Sequence, residues 1–327
     1  MLATTAALPA NEDGWAFEIK WDGVRAVAYI EDGRLHLESR NLADITPRYP
    51  ELAPLAAALG GTDAIIDGEV VAFDDNGLPS FGRLQTRMHV TGAGVAPRMA
   101  TTPVAYLIFD LLHLGDQSTM DVPYVERRRL LDGLELAGPS WRTPSCHVGA
   151  GEGVALLGAT RAQGLEGIVA KRLSSTYVPG RRSKEWLKVK NRASQEVVIG
   201  GWLPGEGARA GRFGSLLVGY YDDTGALRYA GRVGTGFNEA ELARLGQLLL
   251  ELQRPTNPFV DKVPRQARFV EPELVAEVEF AEWTHTGTLR APSYKGLRSD
   301  KAPTDVHREQ VERLEATAQS DEPPPAD

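Results

Sequence analysis

One lysine stands among residue types that could do covalent chemistry. Lys20 lies two residues after an acid, Glu18, and two residues before Asp22. From Trp15 onward, the residues before it alternate between apolar and mostly polar positions, which predicts a half-buried strand. Gly23 permits a turn after it. Two interpretations stay open: Lys20 is held at a strand end and faces a cleft, or it forms a solvated ion pair with Asp22 on a surface hairpin.

Further charged residues recur at the ends of apolar segments. The acids are Asp22, Glu69 and Glu166, and the cations include Arg25, Arg40, Lys171, Lys188 and Lys190. Strand alternation places Lys188 and Lys190 on one face, where they repel each other unless an anion lies between them. Carboxylates suit magnesium and cations suit a triphosphate. The set therefore fits phosphoryl or nucleotidyl transfer, with Lys20 as the candidate nucleophile.

The common nucleotide and metal motifs are absent. The sequence contains no G-x-x-x-x-G-K-[ST] loop, no dinucleotide fingerprint, no histidine pair with zinc spacing and no G-x-S-x-G elbow. A bound nucleotide would therefore be held by side chains at strand ends.

A basic segment runs from Lys171 to Arg192, with Tyr177 and Trp186 among its cations. Such a segment suits a nucleic-acid backbone, and the alternative is a solvated basic loop. The apolar neighbours of Lys188 argue against a loop. The net charge of -8 weighs mildly against nucleic-acid binding, but phosphates respond to local patches rather than to the sum.

Composition sets broad limits. The 327 residues predict two domains, and Cys146 is the only cysteine, which excludes a disulfide framework and fits a reducing cytoplasm. No apolar run is long enough to span a bilayer, and the N-terminus lacks a basic region typical of signal peptides.

Periodicity predicts strands and helices up to about residue 190, including a helix over 47–59 and a loop over 90–102. From Glu196 the chain has the pattern of short strands separated by glycines, interrupted by one helix that Asn238 caps with Glu241 as its partner. This pattern predicts a small barrel.

The segment Lys20-Trp-Asp-Gly23 matches the K-x-D-G signature of covalent nucleotidyltransferases. Further segments resemble, in order and spacing, the ligase domain of bacterial non-homologous end-joining ligases (LigD type), which are ATP-dependent DNA ligases. They are Glu166–Arg172, Tyr177–Arg182, Gln195–Trp202, Gly231–Gly236 and Arg290–Lys301. The likeness extends from about residue 12 to about residue 308.

The resemblance implies an α+β fold. A nucleotidyltransferase (adenylation) domain, with ATP-grasp-like antiparallel sheets and helices, would span residues 1–192. An OB-fold β-barrel would span residues 193–308, and residues 309–327 would form a flexible C-terminal tail.

The resemblance also implies roles for particular residues. Lys20 would carry AMP, and Asp22, Glu69 and Glu166 would be metal ligands. Lys188 and Lys190 would hold the α-phosphate. Arg25, Lys188, Lys190 and a bound magnesium would lower the pKa of Lys20, which attacks only as the free amine. The remaining nucleotide-binding candidates are Glu18, Arg25, Arg40, Glu69, Phe109, Lys171, Arg290, Arg298, Asp300 and Lys301. Glu18 and Phe109 would contact adenine, and the last four would orient pyrophosphate. Lys295 stands where relatives often carry arginine, so no role is assigned to it.

The implied activity is sealing of nicked or broken double-stranded DNA through a lysine–AMP intermediate, with ATP and Mg²⁺ or Mn²⁺, in end-joining repair. The implied partners are a Ku-type end-binding protein and a separate or fused polymerase. A cytoplasmic, nucleoid-associated monomer is expected. The alternatives are an RNA ligase, a capping-type nucleotidyltransferase, or a non-catalytic DNA-end binding module.

Overall fold

The computed structural model describes residues 1–88, 90–191, 193–205, 207 and 211–309. The strands, in chain order, are β1 (Leu2–Thr5), β2 (Trp15–Ile19), β3 (Val24–Glu31), β4 (Arg34–Ser39), β5 (Ala64–Ala72), β6 (Val104–Leu114), β7 (Gln117–Ser118), β8 (Trp141–Arg142), β9 (His147–Val148), β10 (Gly167–Arg172), β11 (Arg182–Lys190), β12 (Ala193–Pro204), β13 (Phe213–Tyr221), β14 (Leu227–Val233), β15 (Gln253–Arg254), β16 (Arg268–Phe280), β17 (Glu282–Trp283), β18 (Leu289–Arg290) and β19 (Ser293–Leu297). The helices are α1 (Leu55–Ala58), α2 (Phe81–Met88), α3 (Val95–Thr101), α4 (Tyr124–Gly133), α5 (Glu152–Ala162) and α6 (Glu239–Glu251).

The first sheet carries the strand that leads to Lys20. Its strand order is β1-β11-β10-β2-β9, and β10 pairs antiparallel with both β2 and β11. The strand predicted before Lys20 is confirmed as β2, in which Trp15 and Phe17 are buried. Strand β10 lies at the centre of this sheet, between β11 and β2. Residues at each end of β10 therefore lie beside residues of β2 and β11.

The second sheet packs its apolar face on the largest cluster of buried side chains. Its order is β4-β3-β5-β6-β7, and β8 adds to β6 in parallel. The predicted hairpin of β3 and β4 is confirmed, with alternating burial along β3. Buried apolar residues from β3, β5, β6 and α2 fill the core, including Ile66, Leu84 and Ile108.

Two predictions about the first 102 residues were wrong. The expected helix over 47–59 is two 3₁₀ turns, Thr46–Arg48 and Pro50–Leu52, followed by the single turn of α1. Pro47, Pro50 and Pro54 interrupt it, because proline lacks an amide donor and disfavours helical geometry in the residue before it. The expected loop over 90–102 contains α3, in which Pro97 lies in the first turn, where proline is tolerated.

The third sheet follows β11 directly in the chain. Its order is β14-β13-β12-β16-β15, and β19 pairs with the other part of β16. Helix α6 packs Leu242, Leu245 and Leu249 against this sheet. The predicted cap is confirmed at Asn238, whose Oδ1 accepts from the Glu241 amide at 2.8 Å, whereas the Glu241 carboxylate accepts from the Tyr294 hydroxyl.

Strand β19 packs against helix α2, which joins the third sheet to the second. The Gln85 side-chain amide donates to the Leu297 carbonyl at 2.7 Å, and Gln85 is only 9% exposed. A Cβ atom at Gly296 would lie 2.4 Å from Gln85 Nε2, so a larger residue here would displace the end of the Gln85 side chain. The Arg298 guanidinium lies 4.8 Å from the centre of the Phe81 ring. These contacts hold the third sheet beside the end of β2.

A fully buried ion pair connects β6 to α4. Arg127 donates two hydrogen bonds to Asp110, at 2.8 and 2.9 Å, and neither side chain is exposed. We expect Asp110→Ala to lower the free energy of unfolding by about 3–5 kcal/mol, because it leaves a buried guanidinium without its counter-charge. The exposed pair Glu126–Arg129 provides the control, since Glu126→Ala should cost about 1 kcal/mol or less. Urea unfolding of both variants checks this, and equal losses would contradict it.

In the part of the chain that the structure describes, every helix is too short or too polar to cross a membrane.

Candidate active site

Lys20 follows the last residue of β2 and faces a cavity of about 300 Å³. Its backbone amide donates to the Gly167 carbonyl at 2.9 Å, which fixes the strand end against β10. A Cβ atom at Gly167 would lie 2.1 Å from the Val189 carbonyl oxygen, so only glycine allows β10 and β11 to approach here. The structure therefore supports the interpretation in which Lys20 is held in a cleft.

The ammonium group of Lys20 contacts Glu166, which stands immediately before β10. Lys20 Nζ donates to Glu166 Oε2 at 2.5 Å, and the two side chains are 23% and 14% exposed. Burial lowers the pKa of Lys20, but the carboxylates of Glu166, Glu277 and Asp22 raise it by more, so the pKa lies above its usual value. The sequence predicts a lowered pKa, through Arg25, the two lysines of β11 and a bound magnesium. The three protein cations do not produce this shift, because Arg25 is paired with Asp67 and the two lysines with Glu309.

Carboxylates crowd the same cavity. Asp22, Glu166, Glu277 and Glu279 line it together with Lys295. Burial, followed by the charges of Glu277 and Glu166, raises the pKa of Asp22 well above its ordinary value. Among the described residues, no three His, Cys, Asp or Glu side chains are grouped so that they could hold a metal ion by themselves.

Glu69 lies on β5 opposite Arg25, in register with β3. Burial raises its pKa to about 8, and the charges of Lys20, Arg298 and Arg25 oppose this effect. Glu69 is thus close enough to feel the charge of Lys20, but it does not line the cavity of Lys20, which the other two candidate metal ligands, Asp22 and Glu166, do line.

A buried aromatic cluster surrounds the ammonium group of Lys171 on β10. Lys171 Nζ donates to Glu18 at 3.0 Å and to the Phe109 carbonyl at 2.9 Å. It lies 4.4–4.8 Å from the ring centres of Phe109, Tyr124 and Trp186. Lys171 therefore contacts two other candidate nucleotide-binding residues, Glu18 and Phe109.

Two members of the aromatic cluster were not among the sequence-based candidates. Tyr124 donates its hydroxyl hydrogen to Glu18. Trp186 is 3% exposed, and its indole nitrogen has no hydrogen-bond partner within the described ranges. A buried donor without a partner is costly, and the indole nitrogens of Trp141 and Trp202 are in the same position. The basic segment around Trp186 was recognised in the sequence, but nothing there indicated which aromatic residues would meet Lys171.

The single thiol of the protein borders this cluster. Cys146 Sγ lies 3.8 Å from the Tyr124 hydroxyl, and burial, with the charge of Glu18, raises the thiol pKa to about 11 from an ordinary 9.0. We expect iodoacetamide to alkylate the folded protein about a hundredfold more slowly at pH 8 than the urea-unfolded chain, because fewer thiolates form. Intact mass against time measures both rates, and equal rates would contradict the prediction.

Arg25 is held by a buried carboxylate. It donates to Asp67 at 3.0 Å from Nε and at 2.5 Å from Nη2, and Tyr177 donates to the same carboxylate at 2.8 Å. Arg25 and Arg40 both line a second cavity, of about 580 Å³, which is separate from the cavity that Lys20 lines.

Lys188 and Lys190 lie on one face of β11, as the alternation indicates. An anion does lie beside them, and it belongs to the chain itself: Glu309 Oε1 is 2.6 Å from Lys188 Nζ and Oε2 is 3.5 Å from Lys190 Nζ. Burial and the neighbouring Lys190 lower the pKa of Lys188 to about 8, although Glu309 opposes this shift.

The structure separates the charged residues of the segment Arg290–Lys301 into buried and exposed ones. Arg298 donates to both oxygens of Asp300 at 2.9 Å and to Glu277 at 2.9 Å, and Lys301 donates to Glu196 at 2.8 Å. Arg290, by contrast, pairs with Glu282 on the surface and is 68% exposed. Lys295 pairs with Glu279 at 3.2 Å and lines the cavity of Lys20.

Comparison with known proteins identifies two matching families. The ATP dependent DNA ligase domain matches residues 1–190, and the ATP dependent DNA ligase C terminal region matches residues 209–301. The chain is 42% identical over 310 residues to the multifunctional non-homologous end joining DNA repair protein LigD of Mycobacterium tuberculosis, and 35% identical over 298 residues to LigD of Pseudomonas aeruginosa. These alignments cover 94% and 89% of this chain but only 39% and 34% of the relatives.

Solved structures of similar proteins match nearly the whole chain. Mycobacterial DNA ligase D complexed with ATP and MES has a TM-score of 0.66 and 40% identity, with 94% of this chain and 98% of that chain covered. The ligase domain of M. tuberculosis LigD has a TM-score of 0.53 and 41% identity, with 94% and 97% covered. The predicted fold class, a nucleotidyltransferase domain followed by an OB-fold domain, is confirmed. The chain therefore belongs to the family of ATP-dependent DNA ligases.

Proposed function

We propose that this chain is a DNA ligase that uses ATP to seal breaks in double-stranded DNA during non-homologous end joining. The observation that carries the proposal is the position of Lys20, at a strand end in a cavity, with its Nζ 2.5 Å from Glu166. Membership of the ligase family and the likeness to LigD support the choice of DNA end joining.

In the first step, Lys20 Nζ attacks the α-phosphorus of ATP, an N–P bond forms, and the bond to the β-phosphate oxygen breaks. Pyrophosphate leaves, and Lys20 carries AMP. The amine must lose a proton for this step. Glu166 is in hydrogen-bond contact with Nζ and is placed to accept that proton.

In the second step, a 5′-phosphate oxygen of DNA attacks the phosphorus of Lys20–AMP, so AMP moves to the DNA end and the amine is released. In the third step, the 3′-hydroxyl attacks the 5′-phosphate, and AMP leaves. Each displacement replaces one bond to phosphorus by another. A covalent carrier thus divides one difficult reaction into easier ones.

A divalent cation fits the donor set around Lys20. The crowded carboxylates raise the pKa of Asp22, and a cation would relieve that repulsion. Mg²⁺ usually takes one or two carboxylates together with waters and substrate phosphates, so Asp22, Glu69 and Glu166 need not form a complete cage. We assign these three residues to Mg²⁺ or Mn²⁺, which would neutralise charge on the phosphates.

The nucleotide would lie between the cavity of Lys20 and the aromatic cluster around Lys171. We assign adenine to Phe109 and Glu18, which both accept hydrogen bonds from Lys171. Lys188 and Lys190 would contact the α-phosphate. The assignment of Arg25 and Arg40 to ribose or phosphate has less support, because both line the separate cavity of about 580 Å³. Arg298, Asp300 and Lys301 would orient pyrophosphate, whereas the exposed position of Arg290 gives it the weakest support.

We propose residues 1–192 and 193–308 as the two domains, because the chain passes between sheets from β11 to β12. The flexible tail predicted for residues 309–327 lies outside the described ranges except for Glu309, and the structure pairs Glu309 with Lys188. A Ku-type end-binding protein and a polymerase, fused or separate, are the proposed partners. Action on chromosomal DNA would place the chain at the nucleoid of the cytoplasm, as a monomer.

Sealing of a nicked duplex tests the proposal. We expect the purified chain to join a nick with ATP and Mg²⁺, and to lose activity when GTP replaces ATP. Faster sealing of a nick that carries RNA would favour an RNA ligase, and a covalent GMP adduct would favour a capping-type enzyme. DNA binding without any adduct or sealing would favour a non-catalytic end-binding module.

A further inference from the structure

The carboxylate of Glu309 occupies the space between two lysines of β11. Its oxygens lie 2.6 Å from Lys188 Nζ and 3.5 Å from Lys190 Nζ, and Thr5 donates its hydroxyl hydrogen to it at 2.8 Å. The Glu309 side chain is 17% exposed. These contacts join a residue near the end of the described chain to the strand that contains the proposed α-phosphate ligands.

The segment of residues 306–309, here called the strap, is anchored along its length by the third sheet. The Tyr221 amide donates to the Val306 carbonyl at 2.8 Å. Gln195 bonds the strap twice: its Nε2 donates to the His307 carbonyl at 3.1 Å, and its Oε1 accepts from the Glu309 amide at 3.0 Å. Gln195 therefore fixes the backbone of the strap. The position of the Glu309 carboxylate depends on this anchoring as well as on the two lysines.

The pair of lysines offers the same donors to a carboxylate as to a phosphate. Both anions accept charge-assisted hydrogen bonds from ammonium groups. The charges of Lys188 and Lys190 overcome the effect of burial and lower the pKa of Glu309 to about 2, so the carboxylate is ionised at neutral pH. An anion that arrives from solution must replace it or accept its repulsion.

We propose that Glu309 is an internal competitor for the phosphate position of Lys188 and Lys190, and that the strap must release it before ATP binds productively. This inference rests on the proposed function, which assigns the α-phosphate to these lysines. Glu309 thereby sets the apparent affinity for nucleotide. The fraction of molecules in which the carboxylate has left determines how far that affinity falls below its intrinsic value.

Substitution of Glu309 tests the proposal. We expect Glu309→Gln to lower the ATP concentration that gives half-maximal AMP loading by about three- to tenfold, as measured by intact mass after short incubations. Glu271→Gln is the control, since it removes another carboxylate of the third sheet, ion-paired to Arg254 at 3.0 Å. An unchanged or higher half-saturating concentration for Glu309→Gln overturns the proposal.

A second variant separates displacement of the strap from a change of charge. Gln195→Ala removes both hydrogen bonds to the strap and leaves every charge in place. We expect it to lower the half-saturating ATP concentration in the same direction. If Glu309→Gln lowers the half-saturating ATP concentration and a folded Gln195→Ala does not, the strap has no role and the competitor model is overturned.

Binding of AMP decides the inference even if the chain forms no adduct, because AMP carries the phosphate that we assign to Lys188 and Lys190 and has no pyrophosphate to lose. Isothermal titration calorimetry measures this binding without any chemistry. Tighter binding by Glu309→Gln than by the wild-type chain supports an internal competitor at Lys188 and Lys190. Equal or weaker binding overturns it, whatever the outcome for the ligase reaction.

Discussion

The Lys20→Ala variant is expected to gain no AMP when incubated with ATP and Mg²⁺, whereas the wild-type chain gains one. Lys20 is the lysine that contacts Glu166 within the cavity, so its removal deletes the attacking nitrogen. Loss should be complete, because no bound group replaces a missing nucleophile. Intact-protein mass measures the adduct. Both proteins are first treated with pyrophosphate, which removes any AMP already attached.

Two control variants distinguish loss of the nucleophile from loss of structure. Lys20→Arg retains a cation beside Glu166 but offers a guanidinium that stays protonated, so it should fold and still gain no AMP. Lys262→Ala removes an exposed lysine that does not line the cavity, and it should load AMP at the wild-type rate. An AMP adduct on Lys20→Ala would show that another residue is the nucleophile.

The local surroundings of Lys20 could be predicted from the sequence because short-range rules govern them. Alternation along residues 15–20 identified β2, and the same rule placed Lys188 and Lys190 on one face. The resemblance then grouped residues that are far apart in the chain. The helix over 47–59 was mispredicted because its apolar pattern outweighed its three prolines, each of which resists helical geometry.

Side-chain partners across long separations could not be predicted from these rules. Glu309 meets Lys188 across 121 positions, and Lys20 meets Glu166 across 146. Such pairs depend on how the sheets pack, whereas periodicity describes only one element at a time. For this reason, the predicted lowering of the Lys20 pKa by nearby cations was wrong. The sequence supplied the nearby cations, but the structure pairs Arg25 with Asp67 and the β11 lysines with Glu309.

The second large effect is expected at Arg298. We expect Arg298→Ala to slow AMP loading by about 10²–10³-fold, the usual cost of removing a donor that stabilises developing charge. Sealing of a nick that already carries a 5′-adenylate should be affected much less, because that step releases no pyrophosphate. Radiolabelled AMP transfer and sealing of the preadenylated nick measure the two steps separately.

Arg290→Ala is the matched control, since it removes an arginine of the same segment that is exposed and paired only with Glu282. Its loading rate should remain within about twofold of wild type, in line with the small energy of exposed ion pairs. Equal losses at Arg290 and Arg298 would contradict the roles that the geometry suggests. Because Arg298→Ala also leaves Asp300 and Glu277 without a cation, its unfolding by urea must be measured beside its activity.

Gly296→Ala separates the chemistry of Arg298 from the placement of β19. The added methyl group would displace the side-chain amide of Gln85 and break its hydrogen bond to the Leu297 carbonyl, which links α2 to β19, while Arg298 keeps its guanidinium. If Arg298 acts only when β19 packs against α2, this variant should reproduce the step-selective loss. Slow loading together with normal sealing of the preadenylated nick would then assign the docked arrangement to the first step. Normal loading by Gly296→Ala would instead mean that the first step does not require this packing.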